Sequence, residues 1–187
     1  MTLSRGCVAG FTLFATHGFF LSDQQIKTDR IGLPDRQPSG IEDPMLRSGL
    51  YFAGANRTLA GKPVPEGLDN GVLTAMEAGG LNLRGTELVV LSACNTGLGD
   101  VKNGEGVFGL RRALQEAGAQ SVLMSLWSVP DEETLDLMKL FYAKWLDGME
   151  IHQALKEAQL EMREQVKMSH DGKDLPYYWG AFVLVGR

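Results

Sequence analysis

LVVLSACNTG, residues 88–97, is an apolar run that ends in a cysteine and a polar turn containing glycine. Extended back to Glu87, the run ELVVLSA at 87–93 predicts a strand covered on both faces, because it is nearly continuously apolar and does not alternate. FTLFAT at 11–16 and SVLMSLW at 121–127 have the same character. Between the last two runs Val107, Leu110, Leu114 and Ala117 recur at spacings of three and four, and Gly118 stands where a helix would stop. Strand, helix, strand in this order is the unit of a parallel sheet. The fold class expected is therefore α/β, an open and mostly parallel sheet flanked by helices.

The rest of the chain extends this pattern in one direction and interrupts it in the other. Pro130 and Asp131 open a second helix with Leu135, Met138, Phe141, Tyr142 and Trp145 on one side, and Gly148 closes it. A third runs from Ile151 to Val166, with Ala154, Leu155, Ala158 and Met162 in phase, until His-Asp-Gly at 170–172 breaks it. WGAFVLVGR at the end predicts a last strand. Residues 22–86 differ, since Pro34, Pro38, Pro44, Pro63, Pro65 and many glycines chop the periodicity into short pieces. They form a long insertion between the first two strands of a single domain spanning 1–187. Within it, GLYFAG at 49–54 and VLTAMEA at 72–78 fit short strands or turns equally well.

Composition removes several function classes. With 187 residues, 44% hydrophobic and 22% charged, the chain has the balance of an ordinary globular domain. A formal charge of −5, with its one basic pair, Arg111-Arg112, inside a helical pattern, leaves no electrostatic footprint for nucleic acid. Cys7 and Cys94 are the two cysteines and neither belongs to a C-x-x-C, so a reducing compartment is expected and not a disulfide framework. Cys7, His152 and His170 lack metal-ligand spacing. The run CVAGFTLFA behind Arg5 is too short to span a bilayer. It leads into Thr-His-Gly-Phe-Phe instead of a small-residue cleavage site, and so predicts a core strand of a cytoplasmic protein without a membrane partner.

Functional groups in open parallel sheets collect at the carboxyl ends of the strands. His17 follows FTLFAT and precedes Gly18; Cys94 follows ELVVLSA and precedes Asn95-Thr96-Gly97. If those strands are parallel neighbours, both side chains leave the sheet at the same edge. A free thiol with a pKa of about 8.5 is only a few per cent thiolate at neutral pH, and an adjacent imidazole can take its proton or hold the ion pair. Backbone N–H groups in glycine-containing turns could serve a developing oxyanion, and Gly18 leaves room beside the histidine. The plain alternatives are a cysteine that packs as a small hydrophobe and a histidine with a structural role.

The runs FATHGFF at 14–20, ELVVLSACNTGLGD at 87–100, GEGVFGLRRAL at 104–114 and SLWSVPD at 125–131 together resemble the CHAT domain. This family is named for its association with tetratricopeptide repeats and is similar to caspases and separases. The likeness continues through the insertion, FYAKWLDG and the terminal YYWGAFVLVG. It implies a caspase-like fold and a cysteine endopeptidase acting on a protein or peptide substrate, without a cofactor, in a bacterial defence or signalling setting. Cys94 would be the nucleophile, His17 the general base or ion-pair partner, and the N–H groups of Gly18 and Cys94 the oxyanion hole. A tetratricopeptide-repeat partner, or a fused region of that kind, is implied as well. The departure is at the front, where MTLSRGCVAG stands in place of the family's further strands and helices; some N-terminal elements are expected to be lacking. That departure favours a second possibility, a catalytically inactive module used for protein–protein interaction. In a third, an α/β-type cysteine hydrolase, His152 or His170 would be the base, but the glycines needed two before and two after the nucleophile are Ser92 and Thr96 here.

Several residues have competing roles. Asn95 and Thr96 either shape the turn that presents Cys94 or touch substrate. Trp127 walls a pocket or belongs to the core. Asp131 selects a basic residue before the cut or caps its helix, and Asp100 and Glu105 are the other acids near the presumed cleft. Gly104-Glu105-Gly106 lacks the lysine of a Walker motif, so Glu105 fits better as an acid in the first turn of a helix.

Overall fold

The computed structural model describes residues 10–20, 44–92 and 105–187. In chain order its elements are β1 (Gly10–Ala15), β2 (His17–Phe20), α1 (Pro44–Arg47), β3 (Ser48–Tyr51), α2 (Ala55–Leu59), β4 (Val72–Thr74) and α3 (Ala75–Gly79). They continue with β5 (Thr86–Ser92), α4 (Glu105–Glu116), β6 (Ser121–Ser125), α5 (Asp131–Leu146), α6 (Ile151–Ser169), α7 (Pro176–Trp179) and β7 (Phe182–Gly186). Two sheets result, one ordered β1-β5-β6-β7 and the other β2-β3-β4.

In the first sheet β1, β5 and β6 run parallel, while β7 pairs antiparallel with β6. Alternate residues of the continuous apolar runs serve the two faces. Val89, Leu91, Val122 and Met124 pack with Leu110, Ala113 and Leu114 of α4. Leu88, Val90 and Leu123 pack with Leu137 and Phe141 of α5 and Ala154, Leu155 and Ala158 of α6. This is the mostly parallel α/β architecture with helices on both faces. Gly118 and Gly148 stop their helices at φ 115° and 98°, a left-handed conformation that costs a residue with a Cβ more than glycine.

The first strand departs from the expectation of two covered faces. Phe11 is 57% exposed and Leu13 51%. Both lie on the face of Leu88 and Val90, their register partners in β5, but β1 is an edge strand among the described residues and α5 and α6 cover the middle of the sheet. The Phe11 ring reaches α5, with its centroid 6.1 Å from that of Tyr142. On the opposite face Phe14 packs against the cluster under α4.

Residues 22–86 contribute β3 and β4 of the second sheet, and β2 precedes them. GLYFAG contains the end of β3 followed by a turn, and VLTAMEA is both a strand and a helix, divided at Thr74. The Thr74 hydroxyl accepts from the Glu77 N–H, and Glu77 Oε2 accepts from the Thr74 N–H at 2.8 Å, a capping box. Leu50, Ala75 and Ala78 are buried in the same cluster as α4, so the second sheet is joined to the first by a shared apolar core.

Candidate functional site

The placement of His17 begins with the β1–β5 ladder. Phe14 pairs with Leu91 and Ala15 with Ser92, and the carboxyl ends of β1, β5 and β6 share one edge of the sheet. The chain leaves that edge through one residue, Thr16, and His17 is then the first residue of β2. His17 therefore stands at the carboxyl edge, yet on a strand of the second sheet instead of a loop. It pairs across the antiparallel ladder with Tyr51, and the Thr16 hydroxyl donates to the Tyr51 carbonyl.

The phase of this small sheet decides where its amides point. Phe52 N–H donates to the Gly71 carbonyl at 2.7 Å, which marks Phe52 and Gly71 as a bonded pair. Alternation then turns the amide and carbonyl of Leu50 toward β4 and those of Gly49 and Tyr51 toward β2. In β2 the same alternation directs the Gly18 N–H away from β3. Side chains divide likewise. Leu50, opposite Gly18, faces the core, whereas His17, Phe19 and Tyr51 share the outer face. His17 is exposed. Phe19 stacks on Tyr51 with ring centroids 4.6 Å apart, and burial raises the Tyr51 hydroxyl above its ordinary pKa, so the neighbour of His17 is an uncharged phenol at neutral pH. The stack depends on Gly49, where an added Cβ would lie 2.3 Å from the Leu73 carbonyl oxygen and 2.8 Å from the Phe19 ring.

Cys94, Asn95, Thr96, Asp100 and Cys7 lie outside the described residues. Glu105 opens α4, as its place in a first turn requires. Trp127 follows β6 at the carboxyl edge, is half-buried, and donates its indole N–H to the Tyr177 carbonyl at 2.9 Å. Asp131 corrects the expectation of a helix cap. The N-cap is Pro130, and Asp131 is the exposed first residue of α5, followed by Glu132 and Glu133. Three carboxylates in a first turn are favoured by the unpaired N–H groups and the helix dipole.

The other histidines are placed differently. α5 leaves the carboxyl edge and α6, packed along it, returns, so His152 in the first turn of α6 stands at the opposite edge from His17. His170 ends α6 with Nδ1 3.0 Å from the Val166 carbonyl and 2.9 Å from the Ser169 hydroxyl. Its ring lies 5.0 Å from that of Tyr178.

A groove of about 810 Å³ was not anticipated from the sequence. It lies on the β4 side of the small sheet, with Phe52, Val64, Leu68 and Leu73 in its walls beside Asp69 and Glu77. The signal for it was the pair Val64 and Leu68 in an otherwise polar, proline-rich stretch. Strand addition is blocked there: by the ladder phase the Val72 and Thr74 N–H groups point outward, and Asn70 Oδ1 and Glu77 Oε2 accept from them at 2.8 Å each. Among the described residues no cluster of three His, Cys, Asp or Glu could hold a metal ion. Among them also, no helix is long and apolar enough to cross a membrane.

A family model described as CHAT domain matches residues 9–187. Tetratricopeptide repeat protein 28 of Homo sapiens is 36% identical over 115 residues, which are 62% of this chain and 4% of that protein. The Mus musculus protein of the same name is 35% identical over 115 residues, with the same coverage of both chains. The matched segment is thus a small part of these long relatives.

Proposed function

We propose, because the chain belongs to the CHAT domain family, that it is a cysteine endopeptidase of the caspase-like clan, cutting a protein substrate through Cys94 and His17. The observation that carries this proposal is the register of β1 and β5. Ala15 pairs with Ser92, and His17 and Cys94 each follow two residues later in the sequence. Neighbouring strands lie roughly 4.8 Å apart, so groups leaving one edge at equal offsets are suited to act together.

In this mechanism the His17 imidazole takes the proton of the Cys94 thiol, and the thiolate attacks the scissile carbonyl carbon. The oxyanion is held by the N–H groups of Gly18 and Cys94; the outward direction of the Gly18 N–H supports its part. Imidazolium returns its proton to the leaving amine, and water then hydrolyses the thioester with His17 as base. Asn95 and Thr96 touch substrate. Trp127 serves as a wall, its indole N–H being engaged by Tyr177. Asp131, exposed in the first turn of α5, selects Arg or Lys before the cut. The setting is regulatory or defensive and cytoplasmic. The name of the relatives supports a tetratricopeptide-repeat partner or fused region.

The test is cleavage of a proteome-derived peptide library, read by mass spectrometry of new amino termini. Wild type should cut, with enrichment of Arg or Lys before the new termini; Cys94→Ala and His17→Ala should not cut, and His152→Ala and His170→Ala should cut as wild type does. Loss in His152→Ala or His170→Ala with retention in His17→Ala would overturn the assignment of the base. The exposed Phe11 and Leu13 face favours one other function, an inactive module for protein–protein interaction; it follows if no new termini appear and Cys94 titrates as an ordinary thiol.

A further inference from the structure

Thr16 is the one residue between the end of β1 and the start of β2, strands that belong to different sheets. Ala15 is registered on Ser92 of β5, and His17 is registered on Tyr51 of β3. The change of direction between those two anchors is therefore confined to a single link. At that link the half-buried Thr16 hydroxyl donates to the carbonyl of Tyr51, the residue opposite His17. The β-branch limits χ1, so the hydroxyl is held in place with little loss of rotamer freedom.

β2 is four residues long, and Gly18, its inward-facing position beside His17, offers no side chain to the core. The imidazole itself is exposed. We propose that Thr16 is a positioning residue for His17: its bond to the Tyr51 carbonyl clamps the junction of the two sheets and fixes where the imidazole stands at the carboxyl edge. This rests on the assignment of His17 and Cys94 as a working pair.

The experiment is the pH dependence of Cys94 alkylation by iodoacetamide, followed by mass spectrometry with Cys7 as internal reference, in the full chain. Wild type, His17→Ala, Thr16→Val and Thr16→Ser are compared, each with its thermal unfolding midpoint. Valine keeps the shape of threonine and removes the donor; serine keeps the donor. At pH 6.5, His17→Ala should slow Cys94 alkylation roughly tenfold, the effect of one unit in thiol pKa. Thr16→Val should slow it about threefold or more, with an unfolding midpoint close to wild type, and Thr16→Ser should restore the wild-type profile. A Thr16→Val profile that superimposes on wild type while His17→Ala is slow overturns the positioning role. So does a Thr16→Ser profile as slow as that of Thr16→Val, since the hydroxyl would then not be the cause. If His17→Ala matches wild type, the pair itself is wrong and this inference falls with it. Should Thr16→Val fail to unfold cooperatively, Thr16→Ala is judged by the same criteria.

Discussion

The parallel sheet and the three-stranded sheet beside it share one hydrophobic cluster, but they hold their strands by different means. Leu88 to Leu91 of β5 and all five residues of β6 are buried, with helices on both faces. In the small sheet β4 is only half-buried, and its outer face carries the exposed His17. Its ends are tied by polar bonds: Thr16 to the Tyr51 carbonyl, Asn70 to the Val72 N–H, and the Thr74–Glu77 box. A fully buried apolar side chain contributes roughly 1.5–3 kcal/mol, whereas a net hydrogen bond contributes about 0.5–1.5 kcal/mol. The difference teaches that burial sets the frame and, through Leu50, seats β3 on it, while the outer strands of the small sheet, β2 and β4, are tied at their ends by weaker polar bonds that single substitutions can remove.

That contrast can be broken in graded steps. The largest effect should come from Phe141→Ala, which empties a fully buried site between α5 and the parallel sheet. A loss of about 3–5 kcal/mol in denaturant unfolding is expected, with all amides of β5 and β6 becoming easier to exchange. If the loss stays under about 1 kcal/mol, the body is not held by burial in the way described. Gly49→Ala comes next, because its Cβ would meet the Leu73 carbonyl and the Phe19 ring. Overpacking of this kind costs roughly 1–3 kcal/mol. Hydrogen exchange should speed up in residues 48–51 and 72–74 before it does in 121–125; a uniform rise would erase the distinction between the sheets.

Thr74→Ala is milder. Losing the cap should cost about 1 kcal/mol and free the amides at the start of α3, leaving β6 exchange unchanged. The smallest effect is on the far side of the body, at an exposed carboxylate. The hydrogen bond from Arg163 holds the Asp174 carboxyl below the ordinary carboxylate range, with the Trp179 indole N–H as a further donor at 3.1 Å. A lowered folded-state pKa means that this stabilisation is present above the pKa of the unfolded carboxylate and is lost as pH falls through the folded value. Asp174→Asn should therefore flatten the acid limb of the stability profile below about pH 4 and leave the small sheet untouched. An unchanged acid limb would show that the ion pair is screened to nothing at the surface.

Legibility followed the same division. β5, β6, α4, α5 and α6 were readable because three or more apolar residues in a row, or a longer set at helical spacing, leave little choice about what is buried. α6 ends at Ser169, only three residues beyond the expected Val166. The insertion was not readable, since strands of three and four residues such as Val72–Thr74 and Ser48–Tyr51 carry too few alternations to separate strand from turn. Of the candidate site, the sequence indicated that His17 stands at a strand end. Its membership of a second sheet, and its pairing with Tyr51, were hidden because Tyr51 is a distant residue whose partner is chosen in space. Of the two roles open to Asp131, the cap is excluded because Pro130 takes that place.

By itself, then, the amino-acid order determined the α/β class, the strand–helix–strand frame and the two residue types suited to thiol chemistry, because hydrophobic periodicity and side-chain chemistry are local properties of the chain. The tertiary structure alone decided that one face of β1 remains exposed at Phe11 and Leu13, that Asn70 and Glu77 close the β4 edge, and that Thr16 reaches a carbonyl 35 positions away. Each of those depends on which segments meet across the core, and the meeting is set by the burial of Leu50 and its neighbours under α4, not by any pattern within the segments themselves.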